Sequence, residues 1–248
     1  MSRYFLELSY KGTRYSGFQV QANALTVQSE VEKALSIFYH QPFELTGSSR
    51  TDAGVHALQN YFHFDSSVIV QEKHVYNLNA ILPQDIVLKR IVQVTDDAHS
   101  RFLATSREYK YFVYKSKDPF LEDRAYYFPY TLSLEKLQEA ATVLMQYSDF
   151  TSFSKRNTQV KTFICDIQKS QWTEENGTYI YNVKANRFLR GMVRGLVGTM
   201  LRVGRSSIDI PAFKAIIEAL DCSKADFSTP PQGLFLVEVN YPDGILPI

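Results

Sequence analysis

The sequence predicts an α+β fold in two similar lobes, residues 1–100 and 101–248. Three observations carry that reading. Each half mixes amphipathic helices with runs of neighbouring strands. Helices open on capping residues, Thr26 in the first half and Ser133 in the second. An Asn176-Gly177 pair joins two strand-like runs as a hairpin.

In chain order, residues 4–10 read as a strand, and Thr26 caps a helix to about Tyr39 with Val27, Val31, Leu35 and Phe38 in an apolar stripe. Residues 43–46 and 58–65 read as strands around a polar, Gly-containing loop. Residues 72–82 look helical and stop at Pro83, and the β-branched run 85–94 is a strand. Residues 107–115 alternate with period two. Ser133 then caps a helix to Tyr147, with Leu134, Leu137, Ala141 and Leu144 inward. Residues 163–172 and 178–184 are strands, 186–203 a strong helix, 211–220 a shorter one, and 234–241 a closing strand.

Composition excludes several classes. Of the 248 residues 45% are hydrophobic and 21% charged, as in an ordinary globular protein able to bury a core without staples. The two cysteines, Cys165 and Cys222, are far apart, which speaks against a disulfide framework or zinc site and for a reducing cytoplasmic setting. The opening stretch is broken by Glu7 and reads as too polar for a signal peptide, and no apolar run reaches membrane-spanning length. Net charge is only +1, yet Lys184, Arg187, Arg190, Arg194, Arg202 and Arg205 fall together with no intervening acid. Such a segment is either a localised polyanion site or a solvated face.

The densest chemistry lies in residues 47–56, where Arg50, Asp52 and His56 share one loop between two strands. Loops on rigid strands are where reactive groups collect. The bland alternative is that Asp52 caps a turn and Arg50 is solvated. In the segment 186–203, Phe188, Leu189, Met192, Val193, Leu196, Val197 and Met200 form one face, with Arg187, Arg190 and Arg194 opposite and Gly191, Gly195 and Gly198 beside them. Each helical glycine costs about 1 kcal/mol relative to alanine. Close approach of another backbone or of a ligand would explain them. The run Arg107-Glu108-Tyr109-Lys110-Tyr111 combines cations with aromatics, as in a base-stacking surface or a half-buried strand. His40, His56, His63, His74 and His99 show no ligand spacing such as HxxxH, so a metal site is not expected.

Read together, the motifs resemble those of the tRNA pseudouridine synthase A family, in order and through nearly the whole chain. Residues 10–21 (YKGTRYSGFQVQ) resemble its opening motif, and Arg50-Thr-Asp-Ala-Gly-Val-His56 matches its catalytic loop without mismatch. Leu82-Pro-Gln-Asp-Ile86, His99-Ser-Arg-Phe102, Arg107-Glu-Tyr109, Asp149-Phe-Thr-Ser-Phe153, Phe188-Leu-Arg-Gly-Met-Val-Arg194 and Pro231-Gln-Gly-Leu-Phe-Leu236 are similar to further family motifs. Three departures are modest: Ser49 where glycine is common, Ser100 for the alanine of HARF, and Phe18 where tryptophan is frequent.

The resemblance implies two RNA-recognition-like (ferredoxin-like) lobes joined through a central, mostly antiparallel sheet. It also implies a cytoplasmic homodimer with tRNA lying across both subunits and no membrane association. The implied activity is isomerisation of uridine to pseudouridine in the anticodon stem-loop, at tRNA positions 38, 39 and 40. No cofactor is expected, because the sum formula does not change. Asp52 would be the essential carboxylate, attacking the sugar, taking the 2′ proton or adding to the base. Arg194 would pair with it, Tyr109 would stack on the everted uracil, and Leu234 or Leu236 would wall the pocket. Arg50 would fill the vacated stack or hold the flipped phosphate. By their charge, Arg101, Lys155, Arg156 and Lys161 would add contacts to the RNA backbone, and His99, Phe102 and Arg190 are further expected RNA contacts. The alternatives are the same chemistry on another tRNA position or RNA, a non-catalytic RNA-binding protein, and a metal-dependent hydrolase.

Overall fold

The computed structural model describes residues 1–156 and 160–246. The chain divides into two compact units: Met1–Ser106 with Phe235–Ile248, and Arg107–Leu234. The fold class is α+β, and the strands of both units pair almost wholly antiparallel. Among the described residues no helix is long and apolar enough to cross a membrane.

The first unit runs β1 (Ser2–Tyr10), α1 (Val27–Tyr39), β2 (Thr46–Gly47), β3 (His56–Ser66), α2 (Val75–Ile81), β4 (Ile86–Val94), with β1 between β3 and β4, and β2 on the far edge of β3. This β-α-β-β-α-β order in a 4-1-3-2 sheet is the ferredoxin-like arrangement. Tyr4, Leu6 and Leu8 of β1 and Phe62 and Phe64 of β3 are buried, as are Val27, Val31, Ala34 and Leu35 of α1. Thr26 caps α1 as its sequence predicts: its hydroxyl accepts from the Ser29 backbone while the Ser29 hydroxyl accepts from the Thr26 backbone.

The predicted strand over 43–46 shrinks to Thr46–Gly47. Side chains of α1 have taken its ladder groups: Glu32 accepts from Leu45 N at 2.9 Å and Gln28 donates to Leu45 O at 2.8 Å. The far edge of β3 is shared. Near its C-terminal end it pairs β2, and at its start His56 and Ala57 lie parallel to Phe235 and Leu236 of β9 (Leu234–Asn240).

The second unit contains β5 (Ser106–Tyr114), β6 (Tyr126–Tyr127), α3 (Leu134–Leu144), β7 (Ile167–Glu175), β8 (Thr178–Ala185), α4 (Met192–Gly204) and α5 (Ile210–Glu218). Here β8 sits between β5 and β7, the same placement of third strand between first and second. Asn176 and Gly177 both take positive φ, 51° and 76°, as the tight hairpin requires. The α3 helix stops at Leu144 rather than at Tyr147. Residues 145–147 donate to carbonyls three positions back, so the last turn tightens into 3₁₀ geometry.

The largest departure from expectation is at α4, which begins at Met192 and not at 186. Gly191 is its left-handed cap residue, with φ 73°, a conformation that cannot continue a helix. Arg187 and Arg190 therefore precede the helix and do not share a helical face with Arg194. Gly195 and Gly198, which are helical, admit backbone and side chain of the segment that follows α5. A Cβ on Gly198 would overlap the Asp226 carbonyl oxygen, and one on Gly195 would lie 2.7 Å from the Phe227 ring. Tight packing, not a ligand opening, explains both.

Candidate active site

The loop from Ser48 to Val55 leaves β2 and enters β3. The residues that resemble an opening motif pin its backbone. Phe18 N donates to Thr51 O at 3.1 Å, and Gly54 N to Tyr15 O at 3.3 Å. The Gly12 N–H donates to Nδ1 of buried His56 at 3.1 Å, which fixes the His56 proton on Nε2. His56 in turn stacks on Phe235 with ring centres 4.5 Å apart. On the other side, Tyr10 OH and Thr51 Oγ1 are 2.8 Å apart, Asn60 donates to Tyr10 OH at 3.1 Å and to Ser49 O at 2.9 Å, and Ser49 N donates back to Asn60.

The result is a rigid hoop. Asp52 O accepts from Val55 N at 3.1 Å, and Gly54 supplies the positive φ of 78° that closes the turn. The Asp52 side chain is half-buried. Among the described residues its carboxylate receives no hydrogen bond from its own unit: the hoop's donors go to backbone carbonyls and to one another's side chains. The turn-capping alternative thus describes the Asp52 main chain, not its side chain. Arg50, two residues earlier, is exposed.

The second unit presents its own set. Tyr109 on β5 is half-buried, edge-on to Phe188 at 5.0 Å. Arg194 lies in the first turn of α4, where its Nε donates to Thr229 O at 2.7 Å and its carbonyl accepts from the Thr229 hydroxyl at 2.9 Å. Its two terminal nitrogens make no hydrogen bond within that unit among the described residues. Tyr111 OH donates to Pro230 O at 2.7 Å, and Gly233 packs so closely on the Tyr111 ring that a Cβ there would lie 2.7 Å away. Arg190 is exposed ahead of α4, its carbonyl accepting from Lys155 N at 3.0 Å, and Lys161 is exposed in the connection to β7. Leu234 is buried in the second unit and Leu236 in the first.

His99, Arg101 and Phe102 sit on the loop between β4 and β5, in the first unit. With Arg50, Phe18, Gln19, Gln28, Leu45, Thr46 and Gly47 they line a cleft of about 180 Å³. The loop is anchored by Ser100, whose N–H donates to Nδ1 of His63 at 3.3 Å and whose carbonyl accepts from Tyr241 OH at 2.6 Å. Arg3 grips Asp65 through two hydrogen bonds, 2.8 and 2.7 Å, and donates to Ala98 O at 3.0 Å.

Burial, with smaller contributions from His99 and Arg3, pushes the His63 pKa down to about 4. An unfolded histidine titrates near 6.5, so as pH falls the unfolded chain takes up this proton first. The associated stability is complete above about pH 6.5 and is lost progressively toward pH 4. Denaturant unfolding between pH 7 and pH 5 is expected to show stability falling with pH, and His63→Gln to flatten that slope. An unchanged slope in the variant would refute the assignment to His63.

Asn60, which holds the Asp52 loop, and His63 and Tyr241, which hold the loop at Ser100, were not singled out by sequence as supports. The available signal was Asn60 and His63 beside the aromatic run Tyr61, Phe62 and Phe64, since buried polar groups must find partners.

Compared with known proteins, residues 141–242 match the family described as tRNA pseudouridine synthase. The tRNA pseudouridine synthase A of Parabacteroides distasonis is 46% identical over 254 residues, covering 100% of this chain and 99% of that protein. That of Bacteroides thetaiotaomicron is 46% identical over 249 residues, covering 99% and 93%. That of Bacillus subtilis is 38% identical over 239 residues, covering 94% and 97%.

Proposed function

The chain belongs to the tRNA pseudouridine synthase A family, and from that premise we propose that it isomerises uridine to pseudouridine in the anticodon stem-loop of tRNA, at positions 38, 39 and 40, with Asp52 as the essential carboxylate and no cofactor. The observation that carries the proposal is the Asp52 hoop: a backbone pinned by hydrogen bonds on both flanks, presenting a carboxylate that its own unit leaves unbonded.

The reaction balances within the substrate. The bond from ribose C1′ to uracil N1 breaks, a bond from C1′ to C5 forms, the C5 proton leaves, and N1 gains one. The base must first leave its stack, which costs a few kcal/mol. Arg50 is proposed to compensate, a role supported by its exposure and by its lying two residues from Asp52. Arg194 is proposed as the cation that keeps Asp52 ionised; its Nε is held by Thr229, leaving the terminal nitrogens to a carboxylate. Tyr109 is proposed to stack on the everted uracil, with Leu234 or Leu236 as apolar wall. Arg190 and Lys161, both exposed, are proposed to reach the RNA backbone. A cytoplasmic homodimer binding tRNA across both subunits completes the proposal.

The test is release of tritium from uridine labelled at C5 in an anticodon stem-loop RNA, using the purified protein with and without a chelator. The expected result is stoichiometric release from the loop-proximal uridines, unaffected by the chelator. Failure to release label from this RNA, or abolition by the chelator, would overturn the assignment.

A further inference from the structure

The cleft beside Arg50 contains a feature that isomerisation of one everted uridine does not use. Three rings adjoin in series from core to solvent, the first pair tilted by 57° and the second by 34°. His63 is buried, His99 lies 4.4 Å from it, and Phe102 lies 4.1 Å from His99 at an interplanar angle of 34°. The outermost ring, Phe102, is 75% exposed. Leaving a phenylalanine in water forgoes about 1.5–3 kcal/mol of burial. The exposure is not that of a loose loop. Leu103 N donates to His99 O at 3.0 Å, the backbones of Arg101 and Phe102 both donate to His99 Nδ1, and Ser100 is fixed from three sides by His63, Thr46 and Tyr241. One face of the ring is backed by His99, and the outward face has a rigid base.

The surroundings suit an anionic, planar ligand. The Arg101 guanidinium lies 6.0 Å from the Phe102 ring centre, and Arg50 lines the same cleft. Burial depresses the pKa of both histidines, so at neutral pH they are uncharged and positive charge resides on the two arginines. Gln19, exposed on the cleft wall, makes no hydrogen bond among the described residues, whereas Gln28 spends its amide on Val20, Glu32 and Leu45. A volume of about 180 Å³ is below that of a pocket for a drug-sized molecule and admits a single ring system. Phe18 links the cleft to the reactive loop, because its side chain lines the one and its N–H bonds Thr51, next to Asp52, in the other.

We propose that the outward face of Phe102, flanked by Arg50 and Arg101, is a stacking subsite for a second unpaired nucleobase of the RNA, distinct from the uridine that reacts. The ring supplies the platform, the arginines neutralise the adjoining phosphates, and the Gln19 amide meets an edge of the base. Stacking on an aromatic ring is tolerant of base identity and costs an RNA–protein complex about 1–3 kcal/mol per base when the ring is truncated. The subsite rests on the proposed function, because it needs an RNA substrate, and the test keeps the two separable.

Stem-loop RNAs carrying 2-aminopurine at one non-target position each are titrated with Asp52→Asn protein, so that no turnover occurs. One position is expected to be quenched on binding. Phe102→Ala should abolish that quench and weaken binding about tenfold or more. Phe102→Leu, which keeps apolar area without a π-face, should resemble Phe102→Ala, and Phe102→Trp should restore both signals. Thermal unfolding of each variant checks that the exposed side chain does not hold the fold. Unchanged quenching and affinity in Phe102→Ala overturns the subsite, as does a change in oligomeric state in place of a change in RNA affinity. Tritium release by the wild type is measured in parallel. If it is absent, the function fails; if it is present while the quench is insensitive to Phe102, only the subsite fails.

Discussion

Asp52→Asn is expected to bind the stem-loop RNA with undiminished affinity and to form pseudouridine at least about 10³-fold more slowly, in the range reached when a group acting on the reacting atoms is removed. Two physical reasons separate binding from turnover. The hoop that carries residue 52 is held through main-chain groups and through Tyr10, Thr51 and Asn60, none of which the substitution touches. The substitution also removes a negative charge where a polyanion approaches, so affinity should hold or rise. Filter binding and single-turnover tritium release measure the two quantities. Residual activity near that of the wild type would remove Asp52 from the mechanism. Arg194→Ala forms the second arm. It should lose activity, and also some stability through the bond to Thr229. Combined with Asp52→Asn it should add little further loss, because partners that act as a unit are not additive. Losses that multiply would show that Arg194 and Asp52 act independently.

The second large effect is expected at a residue with no side chain. Gly12→Ala should cost about 3 kcal/mol or more of stability, the upper end for forcing a methyl group into packed structure. The added Cβ overlaps the carbonyl oxygen of Val55, and the same residue's N–H holds His56. Neither neighbour is a flexible side-chain end, so one of the two backbone segments must move. Since Val55 closes the turn begun at Asp52, the carboxylate shifts with it. A displacement of about 1 Å at a reacting group costs about 10²-fold in rate. Chemical denaturation and turnover of Gly12→Ala check both. Retention of wild-type stability and rate would mean that the opening segment does not brace the loop.

Helix α1 and the hairpin at Asn176-Gly177 could be read directly, because caps and positive-φ turns are local. The α+β class was also legible, from periodicities confined to short windows. Where reading failed, long-range partners had decided. Residues 43–45 look like a strand, yet Gln28 and Glu32 of α1 occupy the Leu45 backbone. The 186–191 stretch carries helical periodicity, but Gly191 is left-handed, and Arg190 is tied to Lys155, 35 positions earlier. At the site, the Arg50–His56 loop stood out by its chemistry. Its support by Tyr10, Gly12 and Asn60 did not, since strand pairing alone brings those residues together. The glycines of α4 were visible as a cost to be explained; only the position of Asp226 and Phe227 shows that packing is the explanation.

The parallel pairing of Phe235 and Leu236 with His56 and Ala57 has a temporal consequence. The second unit is one uninterrupted stretch of chain, whereas the first borrows its final strand from beyond residue 234. During synthesis at about 5–20 residues per second, the later-made unit has all its parts first. The earlier-made one waits for that strand, keeping the start of β3 and the His56 ring uncovered in the nascent protein. The order of birth and the order of completion are thus reversed, and the His56 ring behind the Asp52 loop is among the last groups of the first unit to be covered.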